Sequence, residues 1–347
     1  MKFGLIISKQ HPPGVSMVER FREHLDQVRA ARDAGFDLIV MGQHYLSTPF
    51  QEIQTMPGLA RLAAEAGHMR VGATVLLLPL LCPVDVAEQV ATLDVITEGR
   101  FIFGAGLGYR DEEYEAFGVQ GKEKVPRFVE SLEVIKRLWT EDEVTHHGRF
   151  YHLTRARMAL RPVQKPHPPI WFAANNDAAV ERSARLADAW VINPHAKLDV
   201  LQRQAALYRK ALTDAGKPFP AELPIIKELY VAPDRKSAIA ECRPFLEAKY
   251  KAYGAWGQDK ALPEGDSFDM GFDELVRDRF IIGDPDDAIR ELRRYVDTLG
   301  VTCFIFRIQW PGMEQAKVLR TIKLLAERVF PALGRCVVCR VPSPCGP

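Results

Sequence analysis

Apolar residues along this chain recur in two alternating rhythms. Short runs rich in Val, Ile, Leu and Phe are separated by longer segments in which apolar positions return every three or four residues, the pattern of strands joined by amphipathic helices. Residues 3–8 read as the first strand, 18–34 as a helix, and 37–41 as the second strand beyond Gly35, a residue suited to a helix terminus. The cycle continues with strands at 71–78, 101–106, 169–173, 188–192, 225–231 and 301–307. Helices are expected at 56–67, 84–96, 125–139, 178–187, 198–215, 237–253 and 313–330. The glycine in His147-Gly148-Arg149-Phe150-Tyr151 marks a hairpin excursion, which leaves His146 and His147 solvated. Residues 254–283, with glycines, a proline and aromatics, read as an insertion that covers the mouth of the fold as a mobile lid.

Eight strands alternating with helices specify an α/β protein with a parallel sheet, either a (β/α)8 TIM barrel with loop insertions or an open doubly wound sheet. The open sheet would carry a glycine fingerprint in its first strand-to-helix turn, whereas that turn here is Gln10-His11-Pro12-Pro13-Gly14. Two prolines leave no phosphate cradle there, so the barrel is the expected fold, as one domain over residues 1–333.

Composition narrows the partners. With 46 Lys plus Arg against 45 Asp plus Glu, the chain has no field that would draw it to nucleic acid or an anionic membrane, which leaves a small molecule. No run is long enough to span a membrane, and the opening MKFGLIISKQHPP lacks the small-residue cleavage site of a secretory signal, so the cytoplasm is expected. Cys336, Cys339 and Cys345 crowd into residues 334–347, read as an unstructured tail; a lone C-x-x-C without a second half-site is weak evidence for metal. No H-E-x-x-H or compact ligand cluster suggests a catalytic metal.

In a closed parallel barrel the chemistry sits where the strands end and the strand-to-helix loops converge. That rule selects His11 after the first strand and His44 after the second, imidazoles able to take or give a proton near neutrality. Each could equally be a hydrogen-bonded structural group. The fourth strand delivers Gly104, Gly106, Gly108, Tyr109 and Arg110; its glycines would let a flat ring approach the backbone. Arg110 could balance a phosphate or pair with Glu112 or Glu113. The fifth strand delivers Ala174, Asn175 and Asn176 just before a helix, where free N–H groups and the helix dipole favour an anion; ordinary capping by asparagine is the competing reading. Phe172, Trp190 and Trp310 are candidates for either substrate contact or core.

These residues stand in stretches that resemble the luciferase-like flavin monooxygenases over about residues 1–333: MKFGLIIS, GFDLIVMGQHY, VGATVLLLPLLCPVDVAEQVATLDVITEGRFIFGAGLGYRDEEYEAFG and RPVQKPHPPIWFAANNDAAVERSARLADAW. The resemblance implies reduced FMN as cofactor, supplied by a separate flavin reductase, with the ring near Ala73, Thr74 and Val75 and a cis peptide at Thr74-Val75. It implies that the phosphate rests on Ala174, Asn175 and Asn176, where relatives are usually serine-rich. It assigns proton transfer to His44, with Gln43 standing where many members are acidic, and puts Gly106 where bacterial luciferase has a reactive cysteine. The reaction implied is oxygenation of a small organic substrate with O2 through a C4a-peroxyflavin, in a homodimer. The alternatives are an F420-dependent reductase or dehydrogenase on the same barrel, and a flavin-binding barrel without catalysis.

Overall fold

The protein, described by a computed structural model over residues 1–258, 262 and 268–334, is a closed barrel of eight parallel strands with helices outside. The strands are β1 (Lys2–Ile6), β2 (Leu38–Met41), β3 (Arg70–Leu77), β4 (Phe101–Gly106), β5 (Ile170–Ala174), β6 (Ala189–Ile192), β7 (Pro224–Val231) and β8 (Cys303–Arg307). Each pairs with its neighbours in chain order; β1 joins β8 with Lys2 opposite Cys303, and Ile192 opposite Ile225 closes β6 on β7.

Period-two alternation sorts the strand residues. Ile6, Val40, Ile102, Trp171, Val191 and Ile305 fill the barrel interior. Their neighbours, such as Phe3, Ile39, Val71, Phe103 and Phe304, face the surrounding helices in the larger core. Phe172, Trp190 and Trp310, ambiguous from sequence, are buried in that outer core. Because the lumen is packed with side chains, room for a ligand along the barrel axis lies, among the described residues, beyond the strand ends.

Two features depart from the expected element list. A helix at Pro285–Leu299 precedes β8, started by Asp284 and Asp287 in a reciprocal capping box and ended by Gly300 at φ 75°. Before it, Ile281–Gly283 adds a short strand alongside Leu229–Val231 of β7. The expected insertion therefore contains regular structure at both edges: the helix Arg235–Ala255 enters it and Ile281–Gly283 leaves it. Its residues 259–261 and 263–267 lie outside the described residues, as does the tail from 335 with its three cysteines. The hairpin is present as Val144–His147 paired with His152–Ala156; His146 is not free in solvent, its Nε2 lying 3.2 Å from Glu130. No helix among the described residues is long and apolar enough to cross a membrane.

The tightest contact in the barrel is between β3 and β4 at the end that faces the mouth. A Cβ on Gly104 would overlap the Ala73 carbonyl, and one on Gly106 would meet the Val75 side chain at 2.5 Å. Glycine is thus required for β3 and β4 to pair through the irregular stretch between Ala73 and Leu76. Gly104→Ala is expected to cost about 1–3 kcal/mol or more, as overpacking does. Gly254→Ala, in a helix where the added methyl meets nothing, should instead be neutral or stabilise by about 0.5–1 kcal/mol. Urea unfolding of both variants checks this, and equal midpoints for Gly104→Ala and the parent would contradict it.

Candidate active site

Beyond the strand ends opens a cavity of about 1310 Å³, its open mouth included. Its wall takes residues from almost every strand exit: Lys9 after β1, Gln43 and His44 after β2, Thr74 and Val75 in β3, Gly106 to Tyr109 at β4, Asn175 and Asn176 at β5, and Arg307 at β8.

His44 is positioned by a carboxylate that belongs to another loop. Its Nδ1 lies 3.0 Å from Oε1 of Glu113, a residue with no exposed surface, and the same oxygen accepts the Tyr45 N–H at 2.8 Å. Because Oε1 is already the acceptor for the Tyr45 N–H, the proton in this contact is placed on Nδ1, and Nε2 has no hydrogen bond among the described residues. The Tyr109 ring packs edge-on against the imidazole at 5.5 Å. Both ends of the Gln43 amide are engaged, accepting from the Leu77 N–H and donating to the Tyr45 hydroxyl, both at 2.9 Å. It pins the end of β3 beside Thr74–Val75, whose peptide bond is cis as expected.

Arg110 does not face the cavity. It is buried, donates to the Leu46 carbonyl at 3.0 Å, pairs with Glu112 at 2.6 Å, and lies 3.7 Å from Glu113. Trp256 covers its guanidinium face at 4.4 Å and donates from Nε1 to the Thr48 carbonyl at 3.1 Å. The described start of the 254–283 segment is thereby fastened to the loop that carries His44. Ala73, Gly104 and Ala174 support the wall from behind, whereas Gly106, Gly108 and Tyr109 form it.

Asn176 caps the helix Asp177–Leu186, its Oδ1 accepting the Ala179 N–H at 3.0 Å, while Asn175 accepts from Asn193 Nδ2 at 2.6 Å. The Asp177 carboxylate is occupied by Arg203 at 3.0 Å. The earliest N–H groups of this helix have no intrahelical acceptor and stand at the cavity edge.

Two buried hydroxyls on the wall, Thr74 Oγ1 and Tyr109 OH, have no hydrogen-bond partner among the described residues. Burial pushes the Tyr109 phenol far above its ordinary value, so this hydroxyl stays a donor. Among the described residues no three His, Cys, Asp or Glu side chains gather as a metal site.

Sequence reasoning did not single out several charged groups. Lys9 and Glu52 form a buried ion pair at 2.8 Å on the wall. Burial opposes charge on both, and the Lys9 ammonium nevertheless holds Glu52 below the usual carboxylate range. Glu228, fully buried on β7, takes the Lys249 ammonium, Tyr250 OH at 3.2 Å and Trp310 Nε1 at 2.6 Å. The adjacent charges in Lys227-Glu228 amid an apolar strand were the available signal, since alternation must turn one of them toward the lumen side.

A barrel that closes its lumen and gathers an oriented histidine, unsatisfied hydroxyls and a helix start at one mouth defines a small-molecule site built on strand-to-helix loops. The chain belongs to the luciferase-like monooxygenase family, whose model matches residues 1–302. The oxygenase component of the flavin-dependent trigonelline monooxygenase of Acinetobacter baylyi is 23% identical, covering 98% of each chain. The F420-dependent glucose-6-phosphate dehydrogenase of Nakamurella multipartita is 28% identical over 90% of this chain and 92% of that one. Among solved structures, monooxygenase RslO1 of Streptomyces bottropensis superimposes with a TM-score of 0.85 at 26% identity, covering 96% of this chain and all of that one. The family thus holds flavin monooxygenases and F420-dependent enzymes on one barrel.

His11 is not brought to the cavity. It turns under the first helix, Met17–Asp33, with its Nε2 3.0 Å from His24 Nε2, which in turn lies 3.1 Å from the Ser8 carbonyl. Burial pushes both imidazoles down, His11 to about 4 and His24 to about 3. Histidines of the unfolded chain titrate near 6.5, so below that pH the unfolded state binds more protons than the native one. The stability these groups contribute is complete above about pH 6.5 and is lost as pH falls toward 4, at up to about 1.4 kcal/mol per pH unit for each. Urea unfolding at pH 7.5 and pH 5 should show a shallower loss in a His11→Gln/His24→Gln double variant; the same loss in both proteins would refute this.

Proposed function

We propose that this protein is a flavin-dependent monooxygenase that uses reduced FMN and O2 to oxygenate a small organic substrate. The observation that carries the reading is the His44–Glu113 pair: a buried carboxylate fixes the imidazole so that Nε2 is the proton-handling atom at the cavity wall.

The residues present suit the cofactor. The side-chain-free wall at Gly106 and Gly108 leaves space for a flat ring, and the unpartnered Thr74 Oγ1 and Tyr109 OH supply hydrogen-bonding groups for its polar edge. Asn175, Asn176 and the start of the helix Asp177–Leu186 would hold the phosphate, chiefly through backbone N–H groups because Asn176 Oδ1 already serves as the cap. Reduced flavin, when bound, supplies the electrons and the reaction with oxygen. The protein's part is to orient His44, keep Glu113 dry beneath it, and move a proton at Nε2. The name of the Acinetobacter relative, an oxygenase component, supports a separate reductase as the source of reduced FMN. Hydride transfer with F420 is the second reading, favoured by the likeness to the Nakamurella dehydrogenase.

His44→Ala tests the assignment. Oxygen-driven reoxidation of protein-bound reduced FMN, followed by absorbance after rapid mixing, is expected to slow or change course by roughly 10²-fold while FMN affinity stays within a few-fold. Kinetics unchanged from the parent would remove His44 from the mechanism.

A further inference from the structure

We propose that the substrate carries an oxyanion, a carboxylate or a phosphate monoester, and that Arg307 at the end of β8 is its receptor. The proposal rests on the reading of the mouth as a substrate site.

The case begins with the buried charges on the β7–β8 side. Two cations, Lys249 and Arg307, share the single carboxylate of Glu228. That carboxylate is already engaged by Lys249, Tyr250 and Trp310, and burial notwithstanding, the neighbouring cations hold it down at about 2, so it is ionised. Arg307 reaches it only through Nη1, at 3.4 Å, and this is the one hydrogen bond of its guanidinium among the described residues. Among the described residues the rest of the planar fork meets no acceptor, although its side chain is only 18% exposed and lines the cavity. The carboxylate that does line the cavity, Glu52, is taken by Lys9. Burial first, and the Arg307 charge second, pull the Lys249 ammonium down to about 7. Nearby His195, driven down to about 3 by burial and by Lys249, supplies no negative charge.

A largely buried cation with its fork unmatched at a cavity wall is the arrangement that binds a carboxylate or phosphate through two parallel hydrogen bonds. This anion is not the cofactor's phosphate. Asn175 and Asn176 stand at the end of β5, and Arg307 stands at the end of β8, with β6 and β7 between them around the barrel. The mouth therefore has two anion-binding ends, and a substrate tethered at Arg307 would extend across it toward His44.

Calorimetric titration of the protein, as purified and saturated with FMN, with phenylacetate, phenyl phosphate and the neutral phenylacetamide tests this. At least one of the two anions is expected to bind tenfold or more tightly than the amide, and which one does so separates a carboxylate from a phosphate monoester. Arg307→Gln should remove that preference, and Arg307→Lys, which keeps the charge without the fork, should retain part of it; thermal unfolding confirms that each variant is folded. If Arg307→Gln does not fold, several-fold weaker anion binding by Arg307→Lys carries the test. Equal binding of anion and amide, no binding of either anion, or a preference undiminished in the variants would overturn the proposal. Oxygen does not enter the measurement: a protein that prefers the anion but rejects reduced FMN sinks the monooxygenase reading and leaves the receptor standing.

Discussion

Closure of the parallel sheet is the constraint on which the rest depends. Once β6 meets β7, the lumen holds only enough space for the inward side chains of alternate strand residues, and here those are Ile, Val, Leu, Ala and Trp through most of its depth. Polar groups near the axis lie at its two ends, Arg70 with Glu222 over Trp171 at one and the strand exits with their loops at the other. The close approach of β3 to β4 at Gly104 and Gly106 is part of the same closure, because it flattens one side of the mouth where a side chain would otherwise protrude.

The charges admitted to that mouth are bought by pairing. A buried ion left alone is strongly destabilising, and the three buried carboxylates around the mouth each answer a cation or imidazole: Glu52 to Lys9, Glu113 to His44, Glu228 to Lys249. The three pairs differ in what they leave over. Lys9 and Glu52 neutralise one another and stiffen the floor. Glu113 leaves His44 with a free ring nitrogen, which suits proton transfer. Glu228 leaves Arg307 with unmatched donors, which suits recognition of an anion. The proposed proton handling and substrate anchoring thus fall on different sides of one cavity.

Much of this was legible in the residue pattern. All eight strands follow from apolar runs, and the strand-exit rule located His44, Gly106, Gly108, Tyr109, Asn175 and Asn176 on the cavity wall. His11 obeys the same rule yet is turned away, because its neighbour in space is His24, a residue that helical periodicity places but cannot pair. Glu113 was read only as a partner for Arg110, because a carboxylate at the start of a helix looks like a solvated one; only the approach of the loop after β2 shows that it is sealed beneath Tyr45. Glu228 and Lys249 lie 21 residues apart and meet through the packing of a helix on β7, information that no local pattern contains. The helix Pro285–Leu299, by contrast, was written locally in Asp284-Pro285 at its start and Gly300 at its end.

The central claim, that this barrel mouth serves reduced FMN and oxygen, is tested most directly by anaerobic titration of the purified protein with reduced FMN and, separately, with reduced F420, each followed by admission of O2. The account predicts saturable binding of reduced FMN and oxygen uptake by that complex. Tight binding of reduced F420 without oxygen uptake, and no binding of reduced FMN, would contradict it.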